Sequence, residues 1–204
     1  VRRDVELARD AGLDLVRVNG HLARPEPYEA ADELGMLVWQ DFPLQWGYAR
    51  TIRREAVRQA REAVDLLGHH PSIAVWCAHN EPVMAHDSRG AALGSSIVRN
   101  VLQQQRPTWN RTILDRWVKR AFETADETRT TIAHSGVAPH LPQLDGTDSH
   151  LFFGWYHGEG ADVDGFAASL PRMVRFVSEF GAQSVPTSAD FMDPQRWPAL
   201  DWHH

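Results

Sequence analysis

Cysteine is nearly missing from this chain. Cys77 is the only one, so no disulfide framework can be built, and its place inside an apolar run marks it as a small buried residue rather than a nucleophile. No apolar run approaches the ~20 residues that a membrane-spanning helix needs. The net charge of -6 comes without any basic stripe, which argues against nucleic acid as a partner. Internal repeats and low-complexity tracts are lacking. No glycine-rich loop follows an apolar run, so the phosphate-cradling turn of an open doubly wound sheet is missing as well. Histidine is plentiful, with 11 copies. The pair His69-His70, however, stands in a Gly-His-His-Pro connection, whereas zinc pairs want spacing on one helix face or on convergent strands. The pair is expected to serve as loop and packing residues, and neither a metal nor an organic cofactor is expected.

What is present suffices for a folded globular domain. At 204 residues, 43% hydrophobic and 24% charged, the chain can bury a substantial core in one domain or at most two. The pattern alternates helix and strand. Residues 1–11 are amphipathic and stop at Gly12, and Leu15 to Val18 is a short buried strand. A helix over Pro27 to Leu34 closes at Gly35, and Met36 to Trp39 is the next strand. Thr51 to Leu67 is a long helix with Thr51 as its cap and Gly68 as its end. The strand after it, from Ile73 to Cys77, leads to Glu81. Residues 83–108 are irregular and expected to be an insertion beside the site. A helix over Arg111 to Arg129 follows, then strands at Thr130 to Ala133, at residues 149–155 and from Val174 to Ser178. Residues 186–204 are expected to form a helix and an irregular tail. Six strands with intervening helices are the pattern of a parallel barrel. A complete (β/α)8 TIM barrel takes ~250 residues, so two strands would be missing. The chain opens at Val1 in a helical pattern, which suggests a piece of something longer, with a cytoplasmic setting as the expectation.

Two of these strands lead into glutamates, at Glu81 and Glu179. A carboxylate just past a buried parallel strand sits where barrel enzymes keep their chemistry. Two such carboxylates are what glycosidic bond hydrolysis requires. One donates a proton to the leaving oxygen while the other attacks or stabilises the anomeric carbon, so their surroundings must push the two pKa values apart.

The sequence around them resembles a known family. Asn80-Glu81-Pro82 and Ser178-Glu179-Phe180-Gly181 resemble the acid/base and nucleophile motifs of glycoside hydrolase family 2. Val16-Arg17-Val18-Asn19-Gly20-His21, the run from Tyr28 to Phe42 that ends in Trp39-Gln40-Asp41-Phe42, and Asp148-Ser149-His150 follow that family's order. They are most similar to its β-mannosidase-like members. The resemblance implies an exo-acting, retaining glycosidase, with β-galactosidase or β-glucuronidase as the other specificities and a non-catalytic carbohydrate-binding remnant as the reading from another class. It also implies that strands 2 to 7 of the barrel are present, that strands 1 and 8 are missing, and that β-sandwich domains flank the barrel. The partner expected is a glycoside or oligosaccharide, with no nucleic acid and no membrane.

Roles follow from the same resemblance. Glu81 would be the general acid/base and Glu179 the nucleophile, with Asn80 on the sugar's 2-hydroxyl. Arg17 is the cation expected to hold Glu179 ionised, the alternative being a structural pair with Asp41. His21 lines the rim. Asp41 and Gln40 either contact sugar hydroxyls or cap the loop that follows. Trp46 and Trp155 are candidate platforms for a sugar ring, while Trp76, within a strand, reads as core. His150 resembles the family's strand-end histidine. In the family a tyrosine follows it closely, whereas here Leu151-Phe152-Phe153 stands in its place and Tyr156 is the first hydroxyl.

Overall fold

The structure is a computed structural model that describes residues 2–82, 106–137, 148–154 and 158–181. The helices are α1 (Arg2–Asp10), α2 (Pro25–Leu34), α3 (Arg53–Leu67), α4 (Asp115–Ala125) and α5 (Asp162–Ser169). The strands are β1 (Leu15–Val18), β2 (Leu37–Asp41), β3 (Ile73–Cys77), β4 (Thr130–Ile132), β5 (Ser149–Leu151) and β6 (Val177–Phe180). All recorded pairings are parallel. β1, β2, β3 and β4 form one sheet in that order, and β5 pairs with β6 in a second ladder.

Helices pack on the four-stranded sheet through small residues. α3 buries Ala56, Ala60, Ala63, Val64 and Leu67, an i, i+4, i+7, i+8, i+11 stripe whose alanines let the helix axis approach closely. α4 adds Val118, Ala121 and Phe122. Phe122 joins the layers, stacking on Trp76 of β3 at 5.1 Å and meeting Phe42 edge-on at 5.7 Å. Trp76 is fully buried and its indole N–H donates to Asp126 at 2.9 Å, so it is core. Cys77 is fully buried too, and burial pushes its thiol well up, which removes thiolate chemistry. His70 packs against the Tyr28 ring and bonds Asp32 at 2.6 Å, the packing role expected of it. Among the described residues no helix is long and apolar enough to cross a membrane.

Several expectations are corrected. The parallel α/β order expected of an incomplete barrel is present, but the ladder is not continuous: among the described residues β4 and β5 are not paired, and the two sheets meet through side chains. Thr51 is no cap, since it lies in a 3-10 turn at Arg50–Ile52 ahead of α3. The helix at α5 is not legible in a segment with Gly165 at its centre and no residue buried. Met173 and Val174 belong to a 3-10 turn opened by Pro171, so β6 starts at Val177 and carries Glu179 within it rather than beyond its end. β5 stops at Leu151, short of the span expected. Most of the insertion at 83–108 and all of the tail at 186–204 lie outside the described residues.

Candidate active site

The C-terminal ends of the strands converge on Arg17. Its neighbours Val16 and Val18 alternate with it along β1, so the guanidinium projects alone, and its side chain is 9% exposed. Nε and Nη2 form a fork on Asp41 at 3.3 and 2.8 Å, and Nη2 also reaches the Asn80 side-chain oxygen at 2.9 Å. Nη1 donates to Glu179 at 2.9 Å and to Ser178 Oγ at 3.2 Å. One planar cation thus ties β1, β2, β6 and the segment after β3 together.

Arg17 pairs with Asp41 and Glu179 at once. Asp41 itself is fully buried. Its oxygens also accept from the Trp39 indole at 2.7 Å and the Gly20 amide at 3.2 Å, so it holds Arg17 instead of facing a sugar. Gln40 is equally enclosed, donating to the carbonyls of His21 and Asp41. His21 is exposed and its ring turns back to the Asn19 carbonyl at 3.0 Å.

His150 lies in register with Glu179 across the β5–β6 ladder. Arginine has only donors, so the contact of Arg17 Nη1 with His150 Nε2 at 3.2 Å requires Nε2 to accept. The proton is then on Nδ1, which donates to Glu81 at 2.8 Å. One oxygen of Glu81, one of Glu179 and a ring nitrogen of His150 all lie within 4.8 Å of one another. These three are the described residues that could face a metal ion, but Arg17 contacts two of them at 2.9 and 3.2 Å, and a dication there would meet a fixed positive charge.

Beneath them, Asp148 accepts from Ser135 Oγ at 2.6 Å and from Ser178 Oγ, pinning β4, β5 and β6 to one point. Gly136 follows Ser135 with φ 71, and a Cβ there would lie 2.3 Å from His150 Nδ1. Only glycine admits both that backbone and that approach.

Glu81 has φ 45 although it precedes Pro82, and Trp46 has φ 65. They are the non-glycine residues of positive φ among those described. Left-handed backbone at such residues costs on the order of 1–3 kcal/mol and persists only where neighbours hold it. Here Asn80 bridges to both Gln45 and Ser135, the Glu81 amide donates to the Ser135 carbonyl at 3.0 Å, and the Trp46 indole N–H donates to Glu81 at 3.2 Å. Trp46 is 53% exposed, so its ring face remains open while its N–H is spent on the carboxylate.

The two carboxylates are pushed apart in acidity, but in the unexpected direction. Burial raises Glu179, with the negative charges of Glu81 and Asp41 adding to it, and the opposing pull of His150 and Arg17 does not overcome them. Arg17 pulls Glu179 downward as expected, but the net direction is upward. Burial also works upward on Glu81, yet the bonds from His150 and Trp46 and the charge of Arg17 leave it below its ordinary value.

Sequence reasoning found Glu81, Glu179, Arg17, Asn80, Trp46 and His150 together. It missed Asn19, whose amide donates to Glu179 at 2.9 Å, together with Ser135 and Gly136. Asn19 lies inside the Arg17 to His21 run, which was the available signal. Phe152 stands edge-on to His150 at 6.0 Å and brings no hydroxyl. Trp155 and Tyr156 lie outside the described residues.

No family model matches the chain. β-Mannosidase B of Thermothelomyces thermophilus is 32% identical over 229 aligned positions, covering 98% of this chain and 25% of that protein. The β-mannosidase of Bos taurus is 28% identical, covering 87% of this chain and 21% of its own length. The chain thus spans about a quarter of the length of the curated relatives it matches. Among solved structures, Bacteroides uniformis β-glucuronidase 2 covalently bound to cyclophellitol-6-carboxylate aziridine superposes with a TM-score of 0.65 at 22% identity, over 90% of this chain and 22% of that one. That likeness shows the α/β fold with its parallel strands. Over the segment the chain represents, the relatives it matches bear the name β-mannosidase, in line with the resemblance its motifs carry.

Proposed function

We propose that this chain, homologous to a segment of the family 2 β-mannosidases, is part of the catalytic domain of a retaining exo-glycosidase that hydrolyses terminal β-linked mannosides. The observation that carries the proposal is the convergence of Glu81 and Glu179 oxygens to within 4.8 Å. Retaining enzymes keep their carboxyl groups about 5–5.5 Å apart, whereas inverting ones leave roughly 6.5–9.5 Å for a water. In the proposed reaction Glu179 attacks the anomeric carbon while Glu81 gives its proton to the departing glycosidic oxygen. A covalent glycosyl ester on Glu179 results. Water, deprotonated by Glu81, then displaces Glu179 and releases the sugar with its configuration retained. Arg17 and Asn19 hold the attacking carboxylate in place. Asn80, anchored by Arg17, sits next to the acid/base and would take the 2-hydroxyl, and the exposed ring of Trp46 would carry the sugar face. β-Galactosidase and β-glucuronidase specificities remain the alternatives within this chemistry. A barrel completed by further strands and flanked by β-sandwich domains belongs to the same proposal.

A second reading, with the roles exchanged, is favoured by one observation: in the structure Glu179 is the carboxyl raised and Glu81 the one lowered. Incubation with a 2-deoxy-2-fluoro-β-mannoside bearing a good leaving group, followed by peptide mapping, decides between them. An adduct on Glu179 supports the roles given above. An adduct on Glu81 exchanges them, and turnover or binding without any adduct rejects the covalent mechanism.

A further inference from the structure

The mechanism leaves unused a fully buried histidine two residues before Glu81. His79 has no exposed surface. It lies where β3 has given way to isolated bridges, and its neighbour Asn80 pairs on one side with Gln45 and on the other with Ser135. Its Nε2 lies 2.9 Å from the Trp46 carbonyl oxygen, an acceptor, so Nε2 carries a proton and donates it. Nδ1 is buried with no partner among the described residues, as suits the deprotonated nitrogen of a neutral ring. Tyr48 packs its ring edge-on against His79 at 6.0 Å.

The residue this bond holds matters because Trp46 has φ 65, a conformation a tryptophan does not adopt unaided. Two bonds clamp it, the Trp46 amide to the Asn80 carbonyl at 3.1 Å and the His79 ring to the Trp46 carbonyl. Both come from the segment that carries Glu81. With the backbone so held, the indole turns its N–H onto Glu81 at 3.2 Å. The hydrogen bonds therefore run from His79 out to Trp46 and back to the carboxylate two residues along from His79.

We propose that His79 is a positioning residue for Glu81, acting through Trp46: its neutral ring, protonated on Nε2, locks the left-handed turn that aims the indole N–H at the carboxylate. Burial lowers the His79 ring to about 4, with the charge of His134 adding to the effect, so the ring stays neutral through the working range. His134 is the titratable group facing His79, and it is itself paired with Asp115 at 2.6 Å. The charged and titratable groups facing Glu81 are His150 from β5, Arg17 from β1 and Glu179 from β6.

The inference deepens the acid/base role proposed for Glu81, and its test separates the two. The carboxyl carbon of Glu81, labelled with 13C and assigned by its disappearance in Glu81→Gln, is titrated by NMR in the full chain. Loss of one donor to the carboxylate favours its protonated form. His79→Leu and Trp46→Phe should each raise the midpoint by about half a pH unit, and the double variant should raise it no further. His79→Gln, whose amide N–H reaches the same carbonyl, should keep the wild-type midpoint. His79→Asn, polar but too short, should behave as His79→Leu and covers the case in which leucine disturbs folding. An unmoved midpoint in both His79→Asn and Trp46→Phe overturns the proposal, as do shifts that add in the double variant. The basic limb of kcat/KM, followed in parallel, should rise with the midpoint. A moved midpoint with an unmoved limb supports the positioning by His79 and removes Glu81 from the acid/base role.

Discussion

Gly136→Ala tests whether the site depends on the close approach of a turn to His150. Two costs arise from the structure. The first is backbone: φ is 71 at Gly136, and a Cβ there is penalised by roughly 1–2 kcal/mol. The second is steric, since the methyl would lie 2.3 Å from His150 Nδ1, 2.4 Å from Cε1 and 2.8 Å from Cγ, distances no side chain tolerates. The imidazole is 4% exposed and Arg17 lies against its far nitrogen, so it cannot rotate away within its pocket. It must be expelled, and the Nδ1–H bond to Glu81 goes with it. A bond to a charged group contributes about 1.5–3 kcal/mol. Together the two costs come to roughly 2.5–5 kcal/mol, and for a chain of this size each ~1 kcal/mol lowers Tm by about 2–4 °C. Urea unfolding should therefore show a lower midpoint at unchanged slope. Because the His150 bond holds Glu81 below its ordinary value against burial, losing it should also raise Glu81 and carry the basic limb of kcat/KM upward. A variant with wild-type stability and an unchanged pH profile would refute the argument, because the ring could then not be where the structure has it.

Three further outcomes are expected. Glu81→Ala should retain glycosylation of substrates with activated leaving groups while losing unactivated ones by about 10²–10⁴-fold, with azide restoring turnover as a β-glycosyl azide; equal loss on both substrate classes counts against the acid role. Arg17→Met leaves Asp41 buried without its cation and should destabilise the fold by about 3–5 kcal/mol. In the same variant Glu179, already raised by burial, should rise further, so the acidic limb of kcat/KM moves to higher pH, and an unmoved limb would return Arg17 to a structural role. Asp126 is a structural acid. Despite the upward push of burial, bonds from Thr128, Trp76 and Arg129 hold it far below its ordinary value. A depressed carboxyl stabilises the fold above its unfolded value near ~3.9 and loses that contribution as pH falls toward its folded value. Asp126→Asn should thus be less stable at neutral pH, and urea titrations should show the two proteins converging between about pH 4 and pH 2.

The order of elements was legible because β1, β2 and β3 are built on short apolar runs near glycine or turn residues, and because α3 repeats its alanines at helical spacing. Segments whose structure depends on remote partners were not. Phe176 stacks on Trp39 at 5.5 Å, which anchors the chain just before β6 and leaves Met173 and Val174 in the turn ahead of it. That contact spans more than 130 residues and has no local trace. The same holds within the site. Glu81, Glu179 and Arg17 announce themselves by type and position, since a charge within or just after an apolar strand needs a reason. Asn19, Ser135 and Gly136 look in sequence like ordinary turn residues and acquire meaning only where β1 and β4 end beside β5 and β6.

Acidity is the quantity least open to sequence reasoning. A single arginine beside Glu179 argued for a lowered carboxyl, but the structure sets two negative charges and burial against that arginine, and the sum changes sign. Backbone strain behaves likewise. Pro82 disposes the residue before it toward extended backbone, and nothing about tryptophan suggests a left-handed turn, yet Glu81 and Trp46 both have positive φ and are bonded to each other. Where local preference and observed geometry disagree at two contacting residues, the surrounding bonds must supply what the local sequence does not. Here those bonds come from His79, Asn80 and Ser135, all of them buried, and all converge on a carboxylate for which small changes in position decide whether a proton can be delivered.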